Sequence, residues 1–184
     1  MERLRLYYPT KPYSITQAWG ISNPSYVQFG FSKHNGEDFR IGADCLVYAP
    51  IACEVTETGF EERGKGNFVR LITTEQHTVG DIPCFVGLVF MHGEKILVKA
   101  GDKLNVGDKI MIPDNTGFST GPHTHMSCYR LGVNKISRLD TDPATNYTFD
   151  PHTYWTGHYA VDYPTILGLY GRIKLLLEEF LKSR

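Results

Sequence analysis

Gly117-Phe118-Ser119-Thr120-Gly121-Pro122-His123-Thr124-His125 reads as a glycine- and proline-bearing turn that ends where a strand begins. In an extended strand alternate side chains share a face, so His123 and His125 look into the same space while Thr124 faces away. The strand continues through Met126-Ser127-Cys128-Tyr129-Arg130. Alone, a His-x-His pair does not separate a metal site from two hydrogen-bonded histidines. It needs partners elsewhere in the chain.

Working outward, the text keeps the same character. Ile15-Thr16-Gln17-Ala18-Trp19-Gly20 reads as a short strand, and Ser22-Asn23-Pro24-Ser25 as a loop. Lys33-His34-Asn35-Gly36-Glu37-Asp38-Phe39-Arg40-Ile41 is a glycine-bearing turn entering a strand. Cys45 to Pro50, Cys53 to Thr58 and Asn67 to Thr73 are β-rich runs, with a charged hairpin loop from Gly59 to Gly66. Glu75 to Pro83 reads as an exposed connection. Cys84 to Met91 is nearly continuous apolar sequence, which suits a strand buried on both faces and closed by His92-Gly93. Short strands with frequent glycine turns describe a mainly β fold, an antiparallel β-sandwich or partly open barrel, rather than alternating βαβ units.

A polar stretch from Gly132 to Thr148 reads as a surface insertion. Beyond it, Pro164 stands where a first helical turn starts. Ile166, Leu169, Tyr170, Ile173, Leu176, Leu177, Phe180 and Leu181 recur at helical spacing. They predict a C-terminal amphipathic helix of about five turns that packs on its own domain, docks on a protein partner or self-associates. The expected division is one domain over 1–160 and the helix over 161–184.

Composition narrows the function. With 184 residues, 41% of them hydrophobic, the chain has enough material for one folded domain. Its 19 basic and 20 acidic residues leave no electrostatic footprint for nucleic acid. Cys45, Cys53, Cys84 and Cys128 lack Cys-x-x-Cys spacing and read as free thiols. No signal peptide and no membrane span is visible.

His34 and Asp38 lie four apart across Gly36, so an imidazole and a carboxylate can aim at one cation. With His123 and His125 they give three or four zinc-competent side chains from two strand ends, and the turn-flanked His92 lies between them in sequence. Three protein ligands with one open position is the pattern of a catalytic zinc site, whereas structural sites are closed by four, usually including thiolates.

In order, Ile15 to Gly20, His34-Asn35-Gly36-Glu37-Asp38-Phe39, Val47-Tyr48-Ala49-Pro50, Gly66-Asn67-Phe68-Val69, Val98 to Ile110 and Thr116 to His125 resemble the lysostaphin-like (LytM-type) zinc metalloendopeptidases. Phe149-Asp150-Pro151 resembles the short motif that closes those domains, so the likeness covers roughly Ser14 to Tyr154. It implies that His34, Asp38 and His125 bind Zn2+, that His92 and His123 are catalytic, and that the substrate is a peptide of bacterial peptidoglycan, in a cross-bridge or a stem. A non-cleaving metal-binding scaffold or wall-binding module of the same fold is the alternative. An enzyme of the wall without a leader implies phage delivery or a removed leader. The sequence departs from the family at Phe90-Met91-His92-Gly93, where Tyr-x-His-Leu is common, and at Ile112-Pro113-Asp114-Asn115, which lacks the usual glycine spacing. His77, His152 and His158 lie outside the matched motifs and read as solvated or hydrogen-bonded.

Overall fold

The structure is a computed structural model that describes residues 1–164, 167–170 and 173. Among these, twelve strands form: β1 (Leu6–Tyr8), β2 (Ile15–Gln17), β3 (Glu37–Arg40), β4 (Val47–Tyr48), β5 (Cys53–Glu61), β6 (Gly66–Thr73), β7 (His77–Val79), β8 (Ile82–Ile96), β9 (Lys103–Leu104), β10 (Lys109–Pro113), β11 (His123–Leu131) and β12 (Trp155–Tyr159). The main sheet runs β2-β3-β11-β8-β6-β5-β9, with antiparallel neighbours throughout. β10 joins the far half of β8 and carries β4, whereas β1 and β12 form a separate parallel pair. β2 and β9 end the path as edges, so the sheet is a partly open barrel and not a closed one.

The apolar run at Cys84–Met91 becomes the middle of the sheet because β8 is its longest strand and pairs with β11, β6, β10 and β7. Alternation then separates two apolar clusters. Val86, Leu88 and Phe90 of β8, Val69 and Leu71 of β6, and Met126 and Cys128 of β11 enter the main core with Leu4, Leu6, Val47 and Phe149. The residues between them face the other way, and Phe68, Val89, Met91, Tyr129 and Leu131 make a second, smaller cluster. That second face is the floor of a groove.

The break in alternation that matters for the groove lies where β8 faces the start of β6. β6 places only Phe68 between Val69, paired with Phe90, and Asn67, paired with Gly93, while β8 places both Met91 and His92 in that interval. Two residues opposing one is a β-bulge. His92 takes φ 67°, a left-handed conformation uncommon for a residue with a side chain. The expected end of the strand at His92-Gly93 is therefore a bulge inside a strand that continues to Ile96.

Two other expectations change. The loop at Ser22–Ser25 leads into a 3-10 helix, Pro24–Phe29, whose start is capped by Asn23 accepting the Ser25 N–H (2.9 Å). The connection from Glu75 to Pro83 contains the β7 hairpin, with Val79 buried because the N-terminal segment pairs with it through Leu4 N–H donating to the Thr78 carbonyl (3.0 Å). At the C-terminus, residues 163–164, 167–170 and 173 are helical. Of the expected apolar stripe, Leu169, Tyr170 and Ile173 are exposed; Ile166, Leu176, Leu177, Phe180 and Leu181 lie outside the described residues. Among the described residues no helix is long and apolar enough to cross a membrane.

Candidate metal centre

β3 and β11 pair so that Asp38 stands directly opposite His125 and Arg40 opposite His123. His34 reaches the same point from the turn before β3. Its Nε2 lies 3.0 Å from His125 Nδ1 and 3.2 Å from Asp38 Oδ1, and His125 Nδ1 lies 2.9 Å from the same oxygen. All three side chains are buried.

What holds each ring decides what it can do. His34 Nδ1–H donates to the Ala18 carbonyl (2.9 Å) and His125 Nε2–H to Ser127 Oγ (2.8 Å). With those protons turned outward, two nitrogen lone pairs and a carboxylate oxygen converge on one point. Such a set repels itself unless a cation or a shared proton lies between its members. Zinc bonds to nitrogen and carboxylate oxygen of about 2.0–2.1 Å in a tetrahedron set ligand atoms roughly 3.3 Å apart. The observed triangle is close to that size, so the donor set fits the ion. Burial pushes the Asp38 carboxyl up, but hydrogen bonds and charge from His125 and His34 outweigh it and hold it well below the usual carboxylate range. Burial pushes His125 down, against the pull of Asp38.

The backbone of the His34–Asp38 turn is shaped by this contact. A Cβ on Gly36 would stand 2.3 Å from the Met126 carbonyl oxygen and 2.6 Å from His125 Nε2. The glycine is there because the His125 ring lies against it, and not because the turn needs a positive φ.

His92 and His123 flank the triangle, with ring centroids 4.7 Å apart. The bulge brings His92 to this face; in a regular strand it would follow Phe90 into the core. Its Nδ1–H donates to the Thr116 carbonyl (2.8 Å), which leaves Nε2 free. His123 Nδ1–H donates to the Gly121 carbonyl (2.8 Å) and its Nε2 points towards Asp38 Oδ1 (3.6 Å). Burial and the neighbouring rings of His125 and His123 push His92 down to about 4, so it is neutral at physiological pH.

The walls come from three loops. Tyr26 stacks on His34 (5.7 Å), and Phe29 meets Phe118 edge to face (4.9 Å). The loop bearing Phe118 is locked by a backbone-to-backbone contact in which Gly66 (φ +62°) and Gly117 (φ +75°) leave no room for a Cβ, and by Phe118 N–H donating to the Gly64 carbonyl (2.7 Å). Thr116 joins the same lock, since its Oγ accepts the Asn67 N–H (3.0 Å) and donates to the Gly93 carbonyl (2.8 Å). The cavity between the walls is about 420 Å3.

All five expected site residues, His34, Asp38, His92, His123 and His125, thus meet in one place. His77, His152 and His158 do not: His77 is half-buried in β7, His152 approaches Glu37 Oε1 (3.3 Å), and His158 is exposed on β12. The four cysteines are free. Four residues that shape the site, Ser127, Thr116, Arg138 and Asn146, were not singled out from the sequence. Ser127 was legible, since it shares the groove face two residues after His125. Thr116 acts through its carbonyl, which carries no side-chain signal. Arg138 and Asn146 line the cavity although they belong to the stretch expected to be a surface insertion, because that segment folds back, with Asp140, Thr145 and Thr148 buried and Trp19 Nε1–H donating to Thr148 Oγ (2.9 Å).

Among known proteins, an uncharacterized metalloprotease of Buchnera aphidicola subsp. Baizongia pistaciae is 47% identical over 115 residues, 62% of this chain and 28% of that protein. Lysostaphin of Staphylococcus simulans is 31% identical over 105 residues, 56% of this chain and 19% of that protein. The chain thus spans less than a third of the length of these curated relatives. A zinc-containing peptidase from Vibrio cholerae, solved by crystallography, superposes with a TM-score of 0.55 at 29% identity, over 77% of this chain and 41% of that one. Residues 32–137, which hold all five of these histidine and aspartate side chains, match the sequence profile of Peptidase family M23, and the chain belongs to that family.

Proposed function

We propose that the protein is a zinc-dependent endopeptidase that hydrolyses peptide bonds in bacterial peptidoglycan and acts at the cell wall. His34, Asp38 and His125 hold the metal; His92 and His123 are the catalytic histidines. The observation that carries this reading is the convergence of three acceptor atoms, their ring protons turned outward, beside two further imidazoles whose Nε2 atoms are free. A bound zinc supplies a water of pKa about 7 and polarises the scissile carbonyl.

The chain's own residues do the rest. Each flanking ring has Nδ1 tied to a carbonyl, so that in its neutral form it presents Nε2 as an acceptor. The ring that takes the proton of the attacking water becomes an Nε2–H donor, and that proton is then available to the departing amine. The other ring, across the 4.7 Å gap, orients the water or steadies the oxyanion once protonated. Phe29, Phe118 and Tyr26 narrow the groove and limit bulk water around the reacting bond.

Two variants separate the roles. His125→Ala loses zinc, measured by metal analysis of the purified protein, while His123→Ala keeps zinc and loses turnover. Equal zinc loss in both refutes the ligand assignment. Incubation with cell walls of several cross-link types, followed by mass spectrometry of released peptides, tests the activity itself. Absence of any chelator-sensitive release refutes the enzyme reading and leaves a metal-binding scaffold.

A further inference from the structure

The groove does not end at the metal ligands. On β11 the side chains that share the His125 face are Ser127, Tyr129 and Leu131, and a second cavity of about 550 Å3 continues along them. The two halves meet at Arg70, Tyr129 and Arg138, which line both. The outer half holds three cations, Arg70, Lys135 and Arg138, against one acid, Glu57. In a chain whose formal net charge is −1, that local excess calls for an anionic ligand.

Arg70 is already paired with Glu57 (2.7 Å). Arg138 is not. Its guanidinium lies 4.1 Å above the Tyr129 ring, and Nη1 donates to the Asn146 carbonyl (2.9 Å) and more weakly to Asn146 Oδ1 (3.4 Å). Among the described residues no carboxylate reaches it, and Nε and Nη2 have no protein acceptor. Lys135 likewise lies over an aromatic ring, that of Phe85 (4.5 Å), and has no acid partner among the described residues. An arginine fixed by an aromatic face and a carbonyl, with one edge of its fork open towards a groove, is pre-organised for a carboxylate.

Position gives the reach. Tyr129 is four residues along β11 from His125, which is about 13 Å at the rise of an antiparallel strand. A substrate peptide lying extended along the groove covers that distance in three or four residues. Arg138 and Asn146 lie past residues 32–137, the part of the chain that matches the family profile. A polyglycine cross-bridge is neutral and has nothing to offer the cation. A stem peptide carries a free α-carboxylate on its γ-linked glutamate, and a second on its diamino acid where that residue is dicarboxylic.

Resting on the endopeptidase reading above, we propose that Arg138, supported by Tyr129 and Asn146, is a specificity residue that binds a free carboxylate of the peptidoglycan stem peptide, and so selects anionic stem peptides over glycine bridges. Charge-assisted, bidentate recognition of this kind discriminates a carboxylate from its carboxamide by about tenfold or more.

The test uses the full chain and three synthetic substrates: cross-linked stem peptides with free carboxylates, the same peptides with those groups converted to carboxamides, and pentaglycine. Cleavage is followed by mass spectrometry, and binding by fluorescence anisotropy of labelled peptides on metal-free protein. The wild type is expected to bind and cut the carboxylate form about tenfold better than the carboxamide, with pentaglycine poorest. Arg138→Gln brings the carboxylate-to-carboxamide ratio close to one in both assays. Arg138→Lys, which keeps the charge but not the fork, restores part of it, and Lys99→Gln, an exposed cation outside the groove, leaves it at the wild-type value. Equal handling of the first two substrates by the wild type, preference for pentaglycine, or a ratio that survives Arg138→Gln overturns the selection while the endopeptidase reading stands. If no substrate is cut or bound at all, both fall together.

Discussion

The two faces of β11 and its neighbours β8 and β6 are built from the same strands and carry opposite instructions. On one face Thr124, Met126 and Cys128 are fully buried beside Phe90 and Leu71. On the other His123, His125, Ser127 and Tyr129 alternate with them and face a groove. The first face tolerates exchange of one apolar group for another of similar volume. The second tolerates little, because each ring needs one particular nitrogen tied and the other free. The lesson is that the core face places the strands, while a thin layer of hydrogen bonds on the groove face decides which ring nitrogens are left free to act as ligands.

If that division is right, damage to one face should leave the other's property largely intact. The largest effect belongs to the core. Phe90→Ala removes a fully buried ring and is expected to lower unfolding free energy by about 3–5 kcal/mol, read by denaturant titration, with the metal content of the folded fraction kept at the wild-type level. Loss of metal from the folded fraction would show that the faces are not separable. Ser127→Ala makes the opposite cut. It removes the partner of His125 Nε2–H, and metal affinity measured by chelator competition should fall by about 10–100-fold, the usual cost of losing such support. Unchanged affinity would mean that contact with Gly36 alone orients the ring.

The difference between the faces also explains what could be read from sequence. The core face announces itself, since the run from Cys84 to Met91 and the alternation along β11 are patterns of residue type, and type is what a sequence displays. The five candidate site residues are legible for a similar reason: His34, Asp38, His92, His123 and His125 are rare chemistries in motif order. The supports are not, because much of the support comes from main-chain carbonyls, those of Ala18, Thr116 and Gly121, and any residue can supply one. The path of the segment after Gly132 was hidden for a different reason. Its polar text suits a solvent-exposed loop equally well, and only the tertiary contacts of Trp19 with Thr148 and of Arg130 with Asp140 (2.8 Å from Nε) draw Arg138 and Asn146 over the groove.

The smallest effect bears on His92, which changes faces. His92 reaches the groove only because β8 bulges, and it does so at φ 67° with both of its backbone groups committed: its N–H to the Lys65 carbonyl (2.9 Å) and its carbonyl to the Asp114 N–H (3.0 Å). Those bonds belong to the hairpin before β6 and to the end of β10, so the surrounding structure imposes the conformation and the side chain does not choose it. Substitution by alanine and by glycine should therefore separate side chain from backbone. Both lose the ring and its bond to Thr116, and both are expected to lose turnover. Alanine must still hold a left-handed conformation that costs about 1–2 kcal/mol, whereas glycine adopts it freely but gives back part of that gain, about 0.5–1 kcal/mol, through its more flexible unfolded chain. The glycine variant should be the more stable of the two by up to about 1 kcal/mol, a melting-temperature difference of about 2–4 °C at this chain length. An alanine variant as stable as the glycine one would mean that the bulge relaxes when the imidazole is removed. In that case the His92 ring, through its bond to Thr116, holds the bulge in place.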